Sequence, residues 1–323
     1  MTEIVYDIEC NTIENNSNPL AKANFQKHLF FDTDEFHEYH KKFAEKVYKV
    51  VFKKKGKAVG ECYLGIGQKT LIAPYSSPFS MIYPQIKWKN SEICNIVGSL
   101  KEITKHLLCK SIIFTLPPDI YNKEVINATA AAFFHNNFYV KYIDINNYFD
   151  LDDFINLDHF VKNLVHSSRK NYKRAIESNL QFEEISLNNF DLVYNIIRIN
   201  REERGYPLKM SLMQMKDIIS MKESTCRCFC IKLNENYIAA AIIFDVNEYI
   251  SQVIYWGDIR EYTNMRPMGL LPIKLVEHYK SLGKKYLDIG PSSENGIINE
   301  GLADFKKSVG CRNNLKICFK YDL

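Results

Sequence analysis

The chain is poor in the residues that interrupt or staple a fold. Only 13 glycines and 10 prolines occur among 323 residues, which excludes a collagen-like or linker-like chain. The longest apolar run, Tyr237 to Phe244, falls far short of the ~20 residues that span a bilayer. The nine cysteines are odd in number and include no Cys-x-x-Cys pair, so neither a disulfide framework nor a zinc site is expected. They read as reduced, buried thiols of a cytosolic protein. The opening residues, MTEIVYDIEC, are acidic and lack a long apolar stretch, so no signal peptide is expected. Neither Gly-x-Ser-x-Gly nor a P-loop occurs, and no nucleophile–base pair assembles from the sequence, so covalent catalysis is not expected. The charge excess is small, 42 Lys and Arg against 38 Asp and Glu. That is not the footprint of a dedicated nucleic-acid binder, although it allows a phosphorylated ligand where positive charge is gathered in one place.

What is present is a globular composition: 46% hydrophobic, 25% charged, with 20 Tyr and 20 Phe. The length suits two domains, each able to bury a core. In the first half, periodicity predicts a polar helix over 34–46 and strands over 48–53, 58–66 and 70–73. A helix over 91–108, a strand over 111–116, a helix over 123–135 and a strand over 139–145 follow. The second half predicts a basic helix over 157–179, a strand over 181–185, and helices over 189–204 and 211–222. Three consecutive strands come next, over 226–233, 237–245 and 249–256. A helix over 269–282, a strand over 285–289, a short helix over 301–308 and a last strand over 314–320 close the chain. The first half reads as a shorter version of the order in the second. The expected fold is α/β, with two related domains at 1–150 and 151–323, each a mixed sheet flanked by helices. His37 and His40 stand one helical turn apart, but the segment reads as a solvated polar helix and no metal is expected.

Three stretches carry a family resemblance. The strand–loop–helix stretch with Arg266-Pro267-Met268-Gly269-Leu270-Leu271 resembles the acyltransferase core of the GNAT superfamily. There the corresponding loop reads [Gln/Arg]-x-x-Gly-x-[Gly/Ala]; Leu271 departs from the final small residue. The run Asp288-Ile-Gly-Pro-Ser-Ser, followed by Gly301-Leu-Ala-Asp-Phe305-Lys306-Lys-Ser-Val-Gly310, looks like the carboxy-terminal signature of the tandem-GNAT group. That group includes Fem-type peptidoglycan aminoacyltransferases and N-acyltransferases of surface-sugar pathways. His166-Ser-Ser-Arg-Lys-Asn-Tyr-Lys-Arg looks like its basic inter-domain helix.

The resemblance implies two GNAT-like domains, the second holding an acyl-CoA site. Backbone amides at the start of the helix after the loop, Arg266 to Leu271, would face a pyrophosphate. Two parallel strands, 249–256 and 285–289, would part, and Val253, Ile254 and Tyr255 would meet the pantetheine arm by main chain. The expected activity is N-acyl transfer from acyl-CoA, a co-substrate, to the amine of a nucleotide-linked aminosugar for surface polysaccharide. The alternatives are an aminoacyl-tRNA-dependent transferase acting on a peptidoglycan precursor and a binding protein without catalysis. Lys162, Arg169 and Lys173 could form a stripe for a nucleotide diphosphate or transfer RNA.

The residues themselves supply candidates for the proton transfer. Asp258 lies two residues beyond Trp256, where the strand is expected to end, and Gly257 is expected to leave room for a ligand beside it. Glu203 ends a helix in the run Arg201 to Pro207, and Asp288 stands before a polar loop, where it could instead cap the following turn. For the acceptor, the loop Pro74-Tyr75-Ser76-Ser77-Pro78-Phe79-Ser80 offers Tyr75, Ser77 and Phe79 for hydrogen bonding and stacking. Ser292 and Asn295, on the loop after Asp288, are expected to meet the same acceptor in a cleft between the domains.

Overall fold

A computed structural model describes residues 25–206 and 208–323, together with the backbone of a strand at 7–12. The first six residues of the stretch read for a signal, and Pro207 of the connector, lie outside the described residues. Two compact units divide the chain. One runs to Asp144 and takes back 315–323; the other runs from Ile145 to Asn314. The expected division at 150 therefore shifts, and it misses the return of the carboxy-terminal strand. That strand, Arg312–Asp322, pairs antiparallel with a strand of the first unit, Tyr321 facing Ile112 and Cys318 facing Thr115.

The first unit contains strand β1 (Asp7–Thr12), helix α1 (Asp34–His40) and strands β2 (Lys46–Lys54), β3 (Lys57–Gly67), β4 (Thr70–Ala73) and β5 (Tyr83–Pro84). Helix α2 (Asn90–His106), strand β6 (Ser111–Thr115), helix α3 (Lys123–His135) and strand β7 (Tyr139–Asp150) follow. Its strands run antiparallel in the order β1-β2-β3-β4, and β4 pairs parallel with β6. The helical spacing in α2 is what buries it: Ile93, Ile96, Val97, Leu100 and Ile103 share one face and are buried. Helix α1 ends at His40, earlier than expected, because β2 already begins at Lys46.

The second unit begins with the last residues of β7 and continues through α4 (Leu157–Asn163), α5 (His166–Glu177), β8 (Gln181–Ile185), α6 (Phe190–Glu203) and α7 (Leu212–Ile219). Strands β9 (Cys226–Leu233), β10 (Asn236–Asp245) and β11 (Ile250–Asp258) follow, then α8 (Pro267–Ser281) and β12 (Tyr286–Pro291). A small hairpin of β13 (Ser293–Glu294) and β14 (Ile297–Ile298) precedes α9 (Glu300–Ser308). The single basic helix expected over 157–179 is instead two helices. At the break Leu164 turns inward, 5% exposed with an extended backbone, and the Arg169 guanidinium donates to the carbonyls of Lys162 and Leu164. Arg169 is thus a staple of the break, and Lys173 pairs with Glu177, so the expected stripe is not an open row of cations.

Strands β8, β9, β10 and β11 form an antiparallel sheet, and β12 adds to β11 in parallel. The long apolar run of β10 is covered on both faces. Ala239, Ala241 and Ile243 belong to one core cluster with Leu270, Leu271 and Leu275 of α8. Side chains alternate along a strand, so Ala240, Ile242 and Phe244, also buried, face the other side, where α6 packs on β10 and β11. This double burial explains why β10 reads as a continuous hydrophobic run rather than as an alternation.

Candidate active site

Strands β11 and β12 part company early. Their parallel ladder pairs Ile250 with Tyr286, Ser251 with Leu287 and Gln252 with Asp288, and stops there. The remainder of β11, Val253 to Asp258, has β10 on one side and, among the described residues, no strand on the other. The partings coincide with two bulges. Against β10 the register shifts so that Ile243 faces Val253 and Ile242 faces Tyr255, leaving Ile254 as the extra residue. Against β7, β12 shifts between Asp288 and Gly290. A bulge bends a strand and raises its twist, which carries β11 and β12 away from each other. The three residues expected to line a ligand by main chain, Val253, Ile254 and Tyr255, begin where the ladder ends.

The walls of the gap carry charge and rings. From α6, the Arg201 guanidinium lies 5.4 Å from the centre of the Tyr255 ring. Burial lowers its pKa, and its Nε has no hydrogen-bond partner among the described residues. From α9, Phe305 meets Trp256 edge-on at 5.9 Å. The next residue, Lys306, is only 2% exposed. Its ammonium donates to the carbonyls of Ile289 (3.2 Å), Gly290 (2.8 Å) and Pro291 (2.9 Å) at the end of β12. Burial pushes its pKa down to about 8.

The expected pyrophosphate loop forms a helix start, with Arg266 in the left-handed region at φ 62° and Pro267 at the first position of α8. Gly269, however, is explained by packing. A Cβ there would come 2.9 Å from the backbone carbon and 3.0 Å from the backbone oxygen of Asn171 on α5. Leu270 and Leu271 are core residues of the second unit. A coenzyme A thioester therefore fits this chain in one part and is opposed in another. The unpaired edge of β11 suits the extended pantetheine arm, whereas the glycine side of the α8 start already faces α5.

The three carboxylates expected to take a proton have different partners. Asp288 is fully buried and accepts from Asn146 Nδ2 (2.9 Å), Gln252 Nε2 (3.0 Å) and the Gly290 amide (2.9 Å). It braces the bulge within β12, rather than capping a turn after it, and joins β7 to β11. Glu203 accepts from the Arg260 amide at 2.9 Å and so holds the segment after β11. Asp258 pairs with Arg204 at 3.0 Å, and Thr263 Oγ1 stands 3.4 Å away. Burial raises its pKa and the Arg204 guanidinium draws it back. Its partners Arg204 and Thr263, with Glu203, Tyr206, Arg260 and Asn264, line a cavity of about 830 Å³, whereas Asp258 itself is buried behind them. Gly257 does not leave room for a ligand: the Asn200 side chain occupies the space a Cβ would take, and its Nδ2 donates to the Asp258 carbonyl at 2.7 Å.

In the first unit, the loop after β4 turns its groups inward. Tyr75 Oη lies 2.8 Å from His37 Nδ1 and 3.2 Å from the His37 carbonyl, while His37 Nε2 reaches Asp32 Oδ1 at 3.2 Å. His37 thus belongs to a buried hydrogen-bonded network instead of a solvated helix face. Ser77 Oγ donates to the Phe79 carbonyl at 2.9 Å. Phe79 is 1% exposed and packs on Tyr121 and Phe31, so the ring expected to stack on an acceptor is a core residue. In the second unit Ser292 is buried and its amide donates to the Ile145 carbonyl at 2.8 Å. Asn295 stands exposed at the hairpin tip.

Sequence reasoning assigned no role to Arg201, Gln252 or Lys306, although all three lie at the gap. Lys306 had the clearest signal, a lysine directly after the aromatic residue of the carboxy-terminal signature. Gln252, with Ser251 before it, is a polar interruption ahead of the apolar run Val253 to Trp256, and Asn200 carries no signal in the sequence.

No protein-family model matches the chain, and no curated protein sequence matches it. Solved structures do. FemX is similar with a TM-score of 0.67 at 14% identity, over 98% of this chain and 97% of its own. The carboxy-terminal domain of a putative lysylphosphatidylglycerol synthetase from Agrobacterium fabrum is similar with a TM-score of 0.59 at 10% identity, over 90% of this chain and 87% of its own. A tandem GNAT protein from the clavulanic acid biosynthesis pathway is similar with a TM-score of 0.52 at 9% identity, over 98% of each chain. At such identities the likeness is one of fold. The chain has the α/β fold of the tandem-GNAT type, each unit a mixed sheet with helices packed on it.

Proposed function

We propose that this chain is an acyltransferase that moves an acyl group from an activated donor to an amine. The early end of the β11–β12 ladder at Gln252 and Asp288 carries the reading. An unpaired strand edge needs hydrogen-bonding partners, and an extended donor arm supplies them as an added strand would. The amine attacks the acyl carbonyl; the new C–N bond forms as the bond to the carrier breaks, and the amine gives up a proton. Aligning the reactants supplies much of the rate, and amides of the β11 edge polarise the carbonyl. Asp258 is the carboxylate assigned to the proton. Three residues at about 3.3 Å each put it about 10 Å along the strand from Tyr255, so the proton reaches it through water in the adjoining cavity.

Acyl-CoA is the first donor in this reading, supported by the fit of the arm. The occupied side of Gly269 and the buried Leu271 favour a second donor that lacks a pyrophosphate at that loop, an aminoacyl-tRNA. The likeness to FemX is consistent with either. The nucleotide-linked aminosugar is the first acceptor to assay and a peptidoglycan precursor the second. The test is acyl transfer followed by mass spectrometry, with both donors and both acceptors, on wild type and Asp258→Asn. Transfer from one donor, lowered at least tenfold in the variant with donor affinity retained, is the expected result. Absence of binding to either donor would overturn the reading. Full turnover in the variant would remove only Asp258 from its role.

A further inference from the structure

Gln252 occupies the last paired position of β11, at the apex of the gap. It is 4% exposed. Its Nε2 donates to Asp288 Oδ2 at 3.0 Å, and this bond fixes which end of the amide is which, because a carboxylate oxygen only accepts. Its Oε1 is left buried with no hydrogen-bond partner among the described residues. A buried acceptor without a donor is rare in folded proteins, because it forfeits its hydration without return. Gln252 directly precedes Val253, Ile254 and Tyr255, the unpaired edge along which the reading proposed above lays the donor arm.

We propose that Gln252 selects the acyl group, and that the group transferred carries a hydrogen-bond donor of its own, a hydroxyl or an amine, near its carbonyl. The inference rests on the acyltransferase reading. A plain aliphatic acyl chain at the apex would bury Oε1 against hydrocarbon. A hydroxyl or amino substituent would satisfy it, while Asp288 holds the amide in place from the other end. Asp288 itself is spoken for by Asn146, Gln252 and Gly290, so it positions the amide that reads the substituent. Sites that bond a substrate hydroxyl or amine reject analogues lacking it far more strongly than apolar pockets reject a missing methylene.

The test uses matched donors on one carrier: propionyl, lactoyl, 3-hydroxypropionyl and alanyl groups, carried on coenzyme A and, separately, as 3′ esters of a short RNA acceptor stem. Competition between the members of each set in single-turnover transfer reports the preference. A substituted acyl group should be preferred over propionyl by about ten- to a hundredfold, the effect expected of one buried hydrogen bond against an unmet acceptor. The position and nature of the best substituent identify the group. In Gln252→Met, which nearly conserves volume, the preference should collapse to within about threefold. Equal use of propionyl and the substituted groups by the wild type would overturn the proposal while leaving acyl transfer standing. Failure of every donor to bind on either carrier would overturn both. Should Gln252→Met unfold, the wild-type competition decides alone.

Discussion

Replacing Lys306 by methionine should change stability by an amount that depends on pH in a defined window. The pKa falls from 10.5 to about 8 on folding, which corresponds to about 3 kcal/mol at roughly 1.4 kcal/mol per unit. Between those values the unfolded chain holds the proton and the folded chain does not, so stability rises with pH. Lys306 therefore contributes its full stability above pH 10.5, and that contribution is lost as the pH falls through about 8. Below that pH both states are protonated and the buried charge costs its full amount. Methionine has no such dependence.

The hydrogen bonds work in the opposite sense to the charge. Removing the ammonium strands the carbonyls of Ile289 and Gly290, both in buried residues, at about 1–3 kcal/mol each. Relief of the buried charge returns about 3 kcal/mol at pH 7, so there the variant should lie within about 3 kcal/mol of the wild type. Toward pH 10.5 the relief disappears and the wild type should gain about 3 kcal/mol on the variant. Trp256 is the natural reporter because it packs on Phe305, next in sequence to Lys306. In a Trp88→Phe background it is the only tryptophan, so its fluorescence in urea follows the second unit alone. A difference between the two proteins that stays flat from pH 8 to 10.5 would refute the reasoning, since the ammonium could not then be desolvated at the end of β12.

Two further substitutions separate packing from ligand binding. Gly269→Ala brings a methyl group within about 3 Å of the α5 backbone at Asn171, and overpacking of this kind costs about 1–3 kcal/mol. The melting temperature should fall in the absence of any donor; an unchanged one would show that α5 yields freely and would return the glycine to the phosphate reading. Phe79→Ala removes a fully buried ring from the first unit and should cost about 3–5 kcal/mol. Loss of acceptor affinity with stability intact would instead reinstate the residue as a ligand contact.

Legibility in the sequence follows the range of the forces involved. Helices with a single buried face were readable because periodicity records local geometry: α3 matches its expected span, and α2 shows all of its buried residues at helical spacing; β9, buried on both faces, was legible from its apolar run between turns. The break between α4 and α5 was not readable, since it depends on Leu164 finding a core and on Arg169 reaching back to two carbonyls. The apolar character of neighbouring residues offers no hint of either. The return of the carboxy-terminal strand to the first unit was equally hidden, because pairing between residues some 200 positions apart leaves no periodic trace.

The candidate site divides along the same line. Where β11 and β12 lie, and that they run parallel, could be anticipated from the order of elements and the family resemblance. Which side chains turn into the gap could not. Gly257 and Gly269 show why. In the sequence each glycine reads as space held open for a ligand, yet Asn200 fills the first space and α5 the second. A glycine records only that something approaches closely, and the partner may be the protein's own backbone. Lys306 and Gln252 are the converse case. Both are polar residues in apolar surroundings, and such placement is costly enough to demand a partner. For Lys306 the fold provides three carbonyls, and for Gln252 Oε1 the described residues provide none. That asymmetry makes the glutamine, rather than the lysine, the residue whose environment is completed by a substrate.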